Sequence, residues 1–410
     1  MTATEDFRRQ TRAWLEANCP PEMHKPMTSE GDTFWGGRNA KFSSEPQRVW
    51  FERMRDKGWT CPHWPKEYGG GGLDGEEAKI VRQEMAAIGA RQPLVSFGIS
   101  MLGPALLKYG TEAQKKEHLP KITAGLIRWC QGYSEPNAGS DLASLQTRAE
   151  SDGDHYIING QKVWTSVARH ADWCILLART DPDAPKTKGI SFFVMDMKAP
   201  GVEVRPIKNI VGDSEFCEMF LTDVVIPVEN RIGAENEGWA VSQATLGSER
   251  AVVLIGLAEL LRRNGRDLLI EQAAAWTMPD GTPATHDRAV RQKLARLFGD
   301  VEILRLLLTR QITNLIRHGG AGPEAAVSKI FYSELLMRLM RFGMEVEGLP
   351  STVDRVVVKG SGWESGWFFH DFLNSYSWTI GGGTNEIMRN IVGEQVLGLG
   401  REPRPEGAKR

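Results

Sequence analysis

Apolar residues recur at helical spacing through the first third of the chain. In the segment 5–19, Phe7, Trp14 and Leu15 fall on one helical face, and Pro20 ends the pattern. The segments 45–59 and 76–90 repeat this spacing, and the more uniformly apolar segment 94–110 is typical of a buried helix. The pattern predicts an N-terminal α-helical domain over residues 1–126.

From residue 127 onward the pattern changes to short runs that alternate or are rich in β-branched and aromatic residues. Turn-forming Gly, Pro, Asp and Asn residues separate the runs. Asn159–Gly160 is a strong hairpin signal, because Asn-Gly favours a two-residue turn between strands. The runs lie at 155–160, 171–180, 189–197, 202–207 and 217–226. They predict a central β domain, barrel-like or sandwich-like, over residues 127–236.

Helical spacing returns after Gly238 in three long segments, at 239–276, 288–319 and 324–348. Their lengths and their apolar stripes suit a four-helix bundle over residues 237–410. The expected fold class is therefore α+β and multidomain, with helices, then strands, then helices along the chain.

Composition narrows the possible functions. The chain has 410 residues, of which 41% are hydrophobic and 25% charged, as in ordinary globular proteins. Fifty basic against 52 acidic residues give no electrostatic case for a nucleic acid or an anionic membrane as partner. The five cysteines and eight histidines show no metal-ligand spacing, so no metal is expected. Without an apolar signal peptide or a membrane-spanning run, we expect a cytoplasmic protein.

Three segments combine residues that suit ligand binding. Residues 129–141 place small and polar side chains where a core is otherwise expected, and residues 162–166 set a tryptophan among hydroxyls at a strand end. Residues 381–386 begin with three glycines, which let a backbone approach a ligand closely. Each segment also has an ordinary explanation, as a polar loop, a buried structural tryptophan or a tight turn. No single one of them identifies a function.

The order of the motifs is more specific. The sequence S-E-P-x-A-G-S-D precedes the strands, K-x-W-[TI]-[ST] follows within them, and G-G-T-[NS]-E-I-x-R-N-I closes the last helical region. This order closely resembles the acyl-CoA dehydrogenase family from about residue 5 to 403. The resemblance implies a flavoprotein of lipid β-oxidation that holds FAD between the β domain and the bundle. It also implies oxidation of an acyl-CoA thioester to a trans-2-enoyl-CoA.

The resemblance assigns a cofactor role to residues in all three segments. Ser134 stands where the family usually has a threonine whose hydroxyl bonds the flavin pyrimidine edge. Trp164 is expected to cover one flavin face, and Ser166 to place a hydroxyl near flavin N5. The substrate is expected to contact Ser140, Arg250 and Gly383. The full cofactor-binding set is Gln131, Tyr133, Ser134, Gly139, Ser140, Trp164, Thr165, Ser166, Thr384, Asn385 and Glu386.

The resemblance also locates the catalytic base. Many members carry a glutamate just before the final Gly-Thr pair, where this chain has Gly382. A minority place it in a Glu-Arg pair on the first bundle helix, which matches Glu249–Arg250 here. Glu249 is therefore the predicted base, although a carboxylate inside a long helix often only caps, pairs or faces solvent. The N–H of Gly382 remains available as a donor to the thioester oxygen, because that role needs no side chain.

Two departures from the family pattern concern assembly. The R-x-x-F-G segment that usually reaches FAD across a subunit interface is absent at 277–281, and the Q-x-x-G-G-x-G segment is poorly kept around 345–349. The chain resembles a bacterial subgroup that includes large subunits of two-chain enzymes for bulky acyl-CoA thioesters, steroid side chains among them. We therefore expect a homo- or hetero-oligomer, a dimer or tetramer, with either a partner chain completing the FAD site or an altered adenine site.

Three alternatives remain beside a dehydrogenase that passes electrons to an electron-transfer flavoprotein. An acyl-CoA oxidase or a flavin monooxygenase keeps the fold and changes the chemistry, and a base at Glu249 argues against the monooxygenase. The third alternative is a non-catalytic subunit that completes the FAD site of a partner. Retention of Glu249, Ser134, Trp164 and Ser166 in one chain argues against that reading.

Overall fold

A computed structural model gives the fold of two compact units. The first comprises Met1–Asn209 and Ser214–Thr245, and the second Ile210–Asp213 and Leu246–Arg410. The structure describes residues 3–25, 27, 30–243, 261, 267–278, 280–318, 322–352 and 368–400.

The helices of the first unit follow the predicted periodicity. Helix α1 ends two residues before Pro20, α2 begins after Ser44, whose side chain accepts the N–H of Gln47, and α3 begins at a capping box made by Asp74 and Glu77. The apolar segment predicted as one buried helix is a π-helical turn, Gly98–Leu102, followed by α4. The helices are α1 Ala3–Asn18, α2 Glu45–Asp56, α3 Gly75–Ala87, α4 Gly103–Tyr109 and α5 Glu112–Thr123.

A buried carboxylate fastens α1 to α3. Glu84, on α3, is buried; its Oε1 accepts a hydrogen bond of 2.6 Å from Arg8, and its Oε2 accepts one of 2.6 Å from Arg12. Around this ion cluster, Leu15 and Val81 belong to the apolar core that the same two helices share. In this cluster, two cations bind one buried carboxylate within the helical part of the first unit.

Eight strands form one sheet in the first unit. The strand order is β6-β7-β3-β2-β4-β5-β8, with β1 pairing in parallel with β4. Alternate residues of β3 and β7 are buried, which fits the predicted period of two. The strands are β1 Trp129–Gly132, β2 Arg148–Asp152, β3 His155–Lys162, β4 Trp173–Arg179, β5 Ile190–Asp196, β6 Val202–Pro206, β7 Cys217–Pro227 and β8 Arg231–Ile232.

The hairpin prediction at Asn159–Gly160 is wrong. Both residues lie inside β3, where the pairing with β7 shifts by one residue between Ile158 and Gly160. The Asn159 side chain donates to the carboxylate of Asp223 and accepts the Asp223 N–H, so it stabilises a bulge between two strands. Glycine is needed next to it, because a Cβ at Gly160 would lie 2.5 Å from Thr147 Oγ1. The β2–β3 turn instead follows Asp152.

The second unit is helical in its described part. Helix α7 buries Val290, Leu294, Leu297, Val301 and Leu304 at intervals of three and four residues, as the sequence predicted. Of the segment 239–276, residues 239–243 and α6 are helical, and the remainder lies almost wholly outside the described residues. The helices are α6 Leu268–Ala275, α7 Arg288–His318, α8 Ala325–Glu347, α9 Phe368–Ser375, α10 Ser377–Ile380 and α11 Asn385–Ile391.

Candidate functional site

The first predicted cofactor segment leaves strand β1 and turns sharply. Glu135 and Ala138 exchange main-chain hydrogen bonds of 3.1 and 3.0 Å, which closes a tight turn of two residues between them. Gly139 and Ser140 then lie exposed on the surface of the first unit. Before the turn, Gln131 is half-buried in β1 and Tyr133 is buried against Phe192. The polar groups that the segment offers to a ligand are therefore concentrated at Ser134 and around Ser140.

The second predicted segment lies directly beside the first. The N–H of Val163 donates a hydrogen bond of 2.9 Å to the carbonyl of Ser134, so the end of β3 is tied to the start of the turn. Trp164 follows with φ of +59°, a left-handed conformation that is unusual for a bulky residue. Its side chain is 59% exposed and meets the ring of Phe216 edge-on at 6.0 Å. Such strain, when it holds a large side chain in solvent, is typical of ligand sites.

Thr165 points the other way. Its side chain is 0% exposed, and its main-chain N–H and carbonyl both bond Cys217, at 3.0 and 3.2 Å. Within the described residues its hydroxyl has no hydrogen-bond partner. Thr165 therefore anchors the segment to β7, while its neighbours Trp164 and Ser166 are the residues with accessible side chains.

Three serine hydroxyls in these two segments have no protein partner in the described chain. Ser134, Ser140 and Ser166 are half-buried or exposed, and within the described chain none of their hydroxyls takes part in a hydrogen bond. A serine hydroxyl is both a donor and an acceptor. Together with the exposed indole of Trp164, these hydroxyls can bind the polar edge of a flat heteroaromatic ring whose face the indole covers.

A buried ion pair connects the two segments. Lys162, at the end of β3, is 0% exposed, and its Nζ lies 2.7 Å from Oε1 of Glu135. Both residues lie within the sequence motifs, but no sequence pattern predicts that they meet. Burial acts to raise the pKa of Glu135, but the Lys162 charge and the hydrogen bonds to the carboxylate outweigh burial and hold that pKa below its ordinary value.

The third predicted segment lies in the second unit. Gly382 has φ of +68° and is exposed, and its N–H donates no hydrogen bond within the described chain. Gly383 has φ of +97°, a left-handed conformation that favours glycine, and a Cβ there would also have to displace Cε of Met388. Thr384 caps α11 by accepting the N–H of Ile387 at 3.2 Å. The segment thus offers free backbone N–H groups rather than side chains.

Asn385 is held inside the second unit. It is 4% exposed, and its Oδ1 accepts hydrogen bonds from Lys329 Nζ at 2.9 Å and from Ser333 Oγ at 3.1 Å. Glu386 is exposed beside Arg389. Because the Asn385 side chain is already bonded, any ligand contact of this residue must use its main chain.

Two predicted site residues lie outside the described residues. These are Glu249, the expected base, and Arg250, an expected substrate contact. Their roles remain predictions. Among the remaining site residues, the structure brings the first two cofactor segments together in the first unit and places the third segment in the second unit.

The loop that replaces the family's R-x-x-F-G segment closes on itself. The N–H of Met278 bonds the carbonyl of Thr282 at 2.7 Å, and the N–H of Ala284 bonds that of Trp276 at 2.8 Å. The Asp280 carboxylate accepts both the N–H and the hydroxyl of Thr282. The polar groups of this loop are thus largely used within it.

Models of three acyl-CoA dehydrogenase domains match the chain in succession. The N-terminal domain model matches residues 2–126, the middle domain model residues 130–224 and the C-terminal domain model residues 236–397. The chain belongs to the acyl-CoA dehydrogenase family. It is therefore an oxidoreductase of a family whose members are flavoproteins with FAD as cofactor. The recognition of the family and the order of helical, sheet and helical regions are confirmed.

Individual relatives match over nearly the whole length. The acyl-CoA dehydrogenase IpdE1 of Mycobacterium tuberculosis is 37% identical, over 98% of this chain and 99% of its own. Among solved structures, the Tcur3481-Tcur3483 steroid ACAD is 30% identical with a TM-score of 0.77, over 98% of both chains. The ChsE4-ChsE5 complex from Mycobacterium tuberculosis is 31% identical with a TM-score of 0.74, over 98% of this chain and 99% of the matched one.

Two features are absent from the described residues. No helix in that part of the chain has both the length and the apolar character needed to cross a bilayer. Across the same ranges, no group of three or more His, Cys, Asp or Glu side chains is placed to hold a metal ion.

Proposed function

We propose that this chain binds FAD and catalyses the α,β-dehydrogenation of an acyl-CoA thioester to the trans-2-enoyl-CoA. One observation carries the proposal most directly. Two adjacent loops of the first unit present the exposed Trp164 indole together with the unpartnered hydroxyls of Ser134, Ser140 and Ser166. This combination of an exposed aromatic face and unpartnered hydroxyls is suited to a flavin ring and a pyrophosphate.

The chemistry requires that a weakly acidic proton leave the α-carbon of the thioester. A hydrogen bond to the thioester oxygen stabilises the negative charge that develops there, and the free N–H of Gly382 is the proposed donor. Glu249 is the proposed base and takes the α-proton onto its carboxylate. When bound, FAD supplies the acceptor for the hydride that leaves the β-carbon.

The substrate is proposed to be a bulky acyl-CoA thioester. One structural relative supports this, since the Tcur3481-Tcur3483 protein is a steroid ACAD. The small Gly247 beside Glu249 in the sequence is compatible with a wide acyl group.

A second subunit is proposed to supply FAD contacts, as in a two-chain assembly. The support is the loop over residues 276–284, which lacks the usual Arg and Phe and bonds its polar groups internally. The proposed electron acceptor is an electron-transfer flavoprotein.

The proposal is tested by the visible spectrum of the purified full chain, before and after anaerobic addition of linear, branched and steroid-side-chain acyl-CoA thioesters. The wild type is expected to show a flavin band that a bulky thioester bleaches, whereas a chain purified without flavin would mean that a different partner chain is needed to hold FAD. Glu249→Gln is expected to keep the band and to lose bleaching rate by about 10²–10⁴-fold, the usual contribution of a general base. The matched control is Glu271→Gln, an exposed carboxylate on α6, which should bleach at the wild-type rate.

Three outcomes would contradict parts of this proposal. Bleaching by Glu249→Gln at the wild-type rate would remove Glu249 as the base. A flavin band that no thioester bleaches would contradict the proposed reaction. Peroxide released in stoichiometric amounts on admission of air would indicate an acyl-CoA oxidase instead.

A further inference from the structure

We propose that the buried pair Glu135–Lys162 is a positioning device that sets the distance between the two flavin-binding loops of the first unit. Neither residue is proposed to touch the cofactor. The flavin part of this inference rests on the proposed function, whereas the loop geometry on which it acts is a property of the protein without cofactor.

The pair makes hydrogen bonds to the main chain of both loops and of a third stretch. Lys162 Nζ donates to Glu135 Oε1 at 2.7 Å and to the carbonyl of Tyr133 at 3.1 Å. The carboxylate also accepts two main-chain N–H groups, that of Thr147 on Oε1 at 2.8 Å and that of Gln146 on Oε2 at 2.6 Å. The two side chains thus hold three separate stretches of backbone at one point.

The position of these stretches gives the pair its proposed role. Glu135 directly follows Ser134, and Lys162 lies two residues before Trp164. The main-chain bond from Val163 to Ser134 lies between the same two loops. Any change in the separation of the ion pair therefore shifts Ser134 relative to Trp164. The Ser134 hydroxyl is expected at the edge of the flavin ring, and the Trp164 indole is expected on its face.

Stability alone does not explain a pair buried this deeply. Removing two charges from water carries a large desolvation penalty, and well-packed apolar residues of similar volume are often equally or more stabilising. An apolar pair cannot, however, accept the N–H groups of Gln146 and Thr147 or bond the Tyr133 carbonyl. What the ionic pair adds over an apolar one is a fixed geometry for these loops.

The test compares matched variants of the full chain. Glu135→Gln with Lys162→Met removes both charges while keeping the side-chain volumes. Glu84→Gln is the control, since it neutralises another buried carboxylate bound by two cations, in the helical part of the same unit. Two quantities are measured: amide hydrogen exchange of residues 131–140 and 163–167 in the flavin-free chain, and the dissociation constant for added FAD.

The double variant is expected to exchange at least about tenfold faster in both loops and to bind FAD at least about tenfold more weakly. A tenfold change in either constant corresponds to about 1.4 kcal/mol. Glu84→Gln is expected to raise exchange in α1 and α3 while leaving both loops and the FAD affinity unchanged. If the double variant does not fold, Lys162→Arg replaces it, with the same expected direction because the larger guanidinium keeps the charge but alters the spacing.

If both loops of the double variant exchange their amide hydrogens at the wild-type rate, the positioning role is overturned, whatever the dissociation constant for FAD. An equal loss of FAD affinity in the Glu84→Gln control would also overturn it, because the effect would then follow general stability. If the double variant exchanges faster than the wild type but the wild type does not bind FAD, the positioning role stands and the proposed cofactor binding is contradicted instead. The two failures are therefore distinguishable.

Discussion

Two buried lysines bond predicted cofactor segments, and the groups that they bond within those segments differ in charge. In the first unit, Lys162 bonds the Glu135 carboxylate next to Ser134. In the second unit, Lys329 on α8 is 7% exposed and bonds the amide oxygen of Asn385, next to Thr384. The same kind of donor therefore fastens a loop through an ion pair in one place and through a charge-to-amide hydrogen bond in the other.

The charged and the neutral partner occur in two different kinds of backbone. Glu135 lies in the connection between β1 and β2, where the N–H groups of Gln146 and Thr147 depend on the Glu135 carboxylate for a partner. Asn385 instead begins helix α11, whose first turn is capped by Thr384 and propagates its own hydrogen bonds. A loop without a repeating hydrogen-bond pattern needs a stronger anchor than a helix start does. A charged partner provides it, at the cost of a buried charge that must remain paired.

The largest effect on stability is expected from Lys162→Met. The variant leaves the Glu135 carboxylate buried without its counter-ion, and breaking one side of such a pair costs about 3–5 kcal/mol of unfolding free energy. Urea denaturation followed by tryptophan fluorescence measures the loss. The control is Lys186→Met, which breaks the exposed pair with Asp141 and is expected to cost less than about 1 kcal/mol. Equal losses in the two variants would show that burial of the first pair does not matter.

A smaller effect is expected from Asn385→Ala. The change removes the hydrogen bonds from Lys329 and Ser333 but creates no unpaired carboxylate, so the expected loss is about 1–3 kcal/mol. Denaturant unfolding of this variant beside Asn390→Ala, an exposed amide on the same helix, gives the comparison. A loss as large as that of Lys162→Met would contradict the distinction between a charged and a neutral anchor.

The elements that periodicity specifies strongly could be predicted from the sequence. Helices α7 and α8 begin and end within a few residues of the predicted segments, because each carries an apolar stripe sustained over many turns. The strands at 190–196 and 217–227 were found for the same reason, as apolar runs bounded by turn residues. The motif order also sufficed for the family, since three separate segments had to occur in one arrangement.

What the sequence did not predict depends on tertiary contacts. Asn159–Gly160 has the composition of a hairpin, but the Asp223 side chain across the strand pair makes it a bulge. The pairing of Glu135 with Lys162 joins residues far apart in sequence, and no local pattern signals it. The left-handed backbone at Trp164, which leaves its indole exposed between the buried Val163 and Thr165, has no signal in the sequence either. Each of these requires knowledge of the neighbouring strand.

The smallest effect is expected from Asn385→Asp, which gives the second anchor the charge pattern of the first. At pH 7 a stronger, charge-assisted bond to Lys329 offsets the desolvation of the new carboxylate, so stability should change by less than about 1 kcal/mol. The stability of the variant should differ from that of the wild type at acidic pH. For Glu135, whose pKa lies below its ordinary value of 4.5, the stabilising contribution is complete above that value and is lost as the pH falls through the folded-state pKa.

An aspartate at 385 that pairs with Lys329 should behave in the same way. Its pKa in the folded chain should fall below the ordinary value of about 3.9, so its contribution should decline as the pH drops below that value. Amide protection factors for residues 385–391, compared between variant and wild type at about pH 6 and about pH 3.5, measure this difference. Other acid-sensitive groups cancel in the comparison, since both chains carry them. Equal pH dependence in the two chains would mean that Lys329 does not act on residue 385 through its charge.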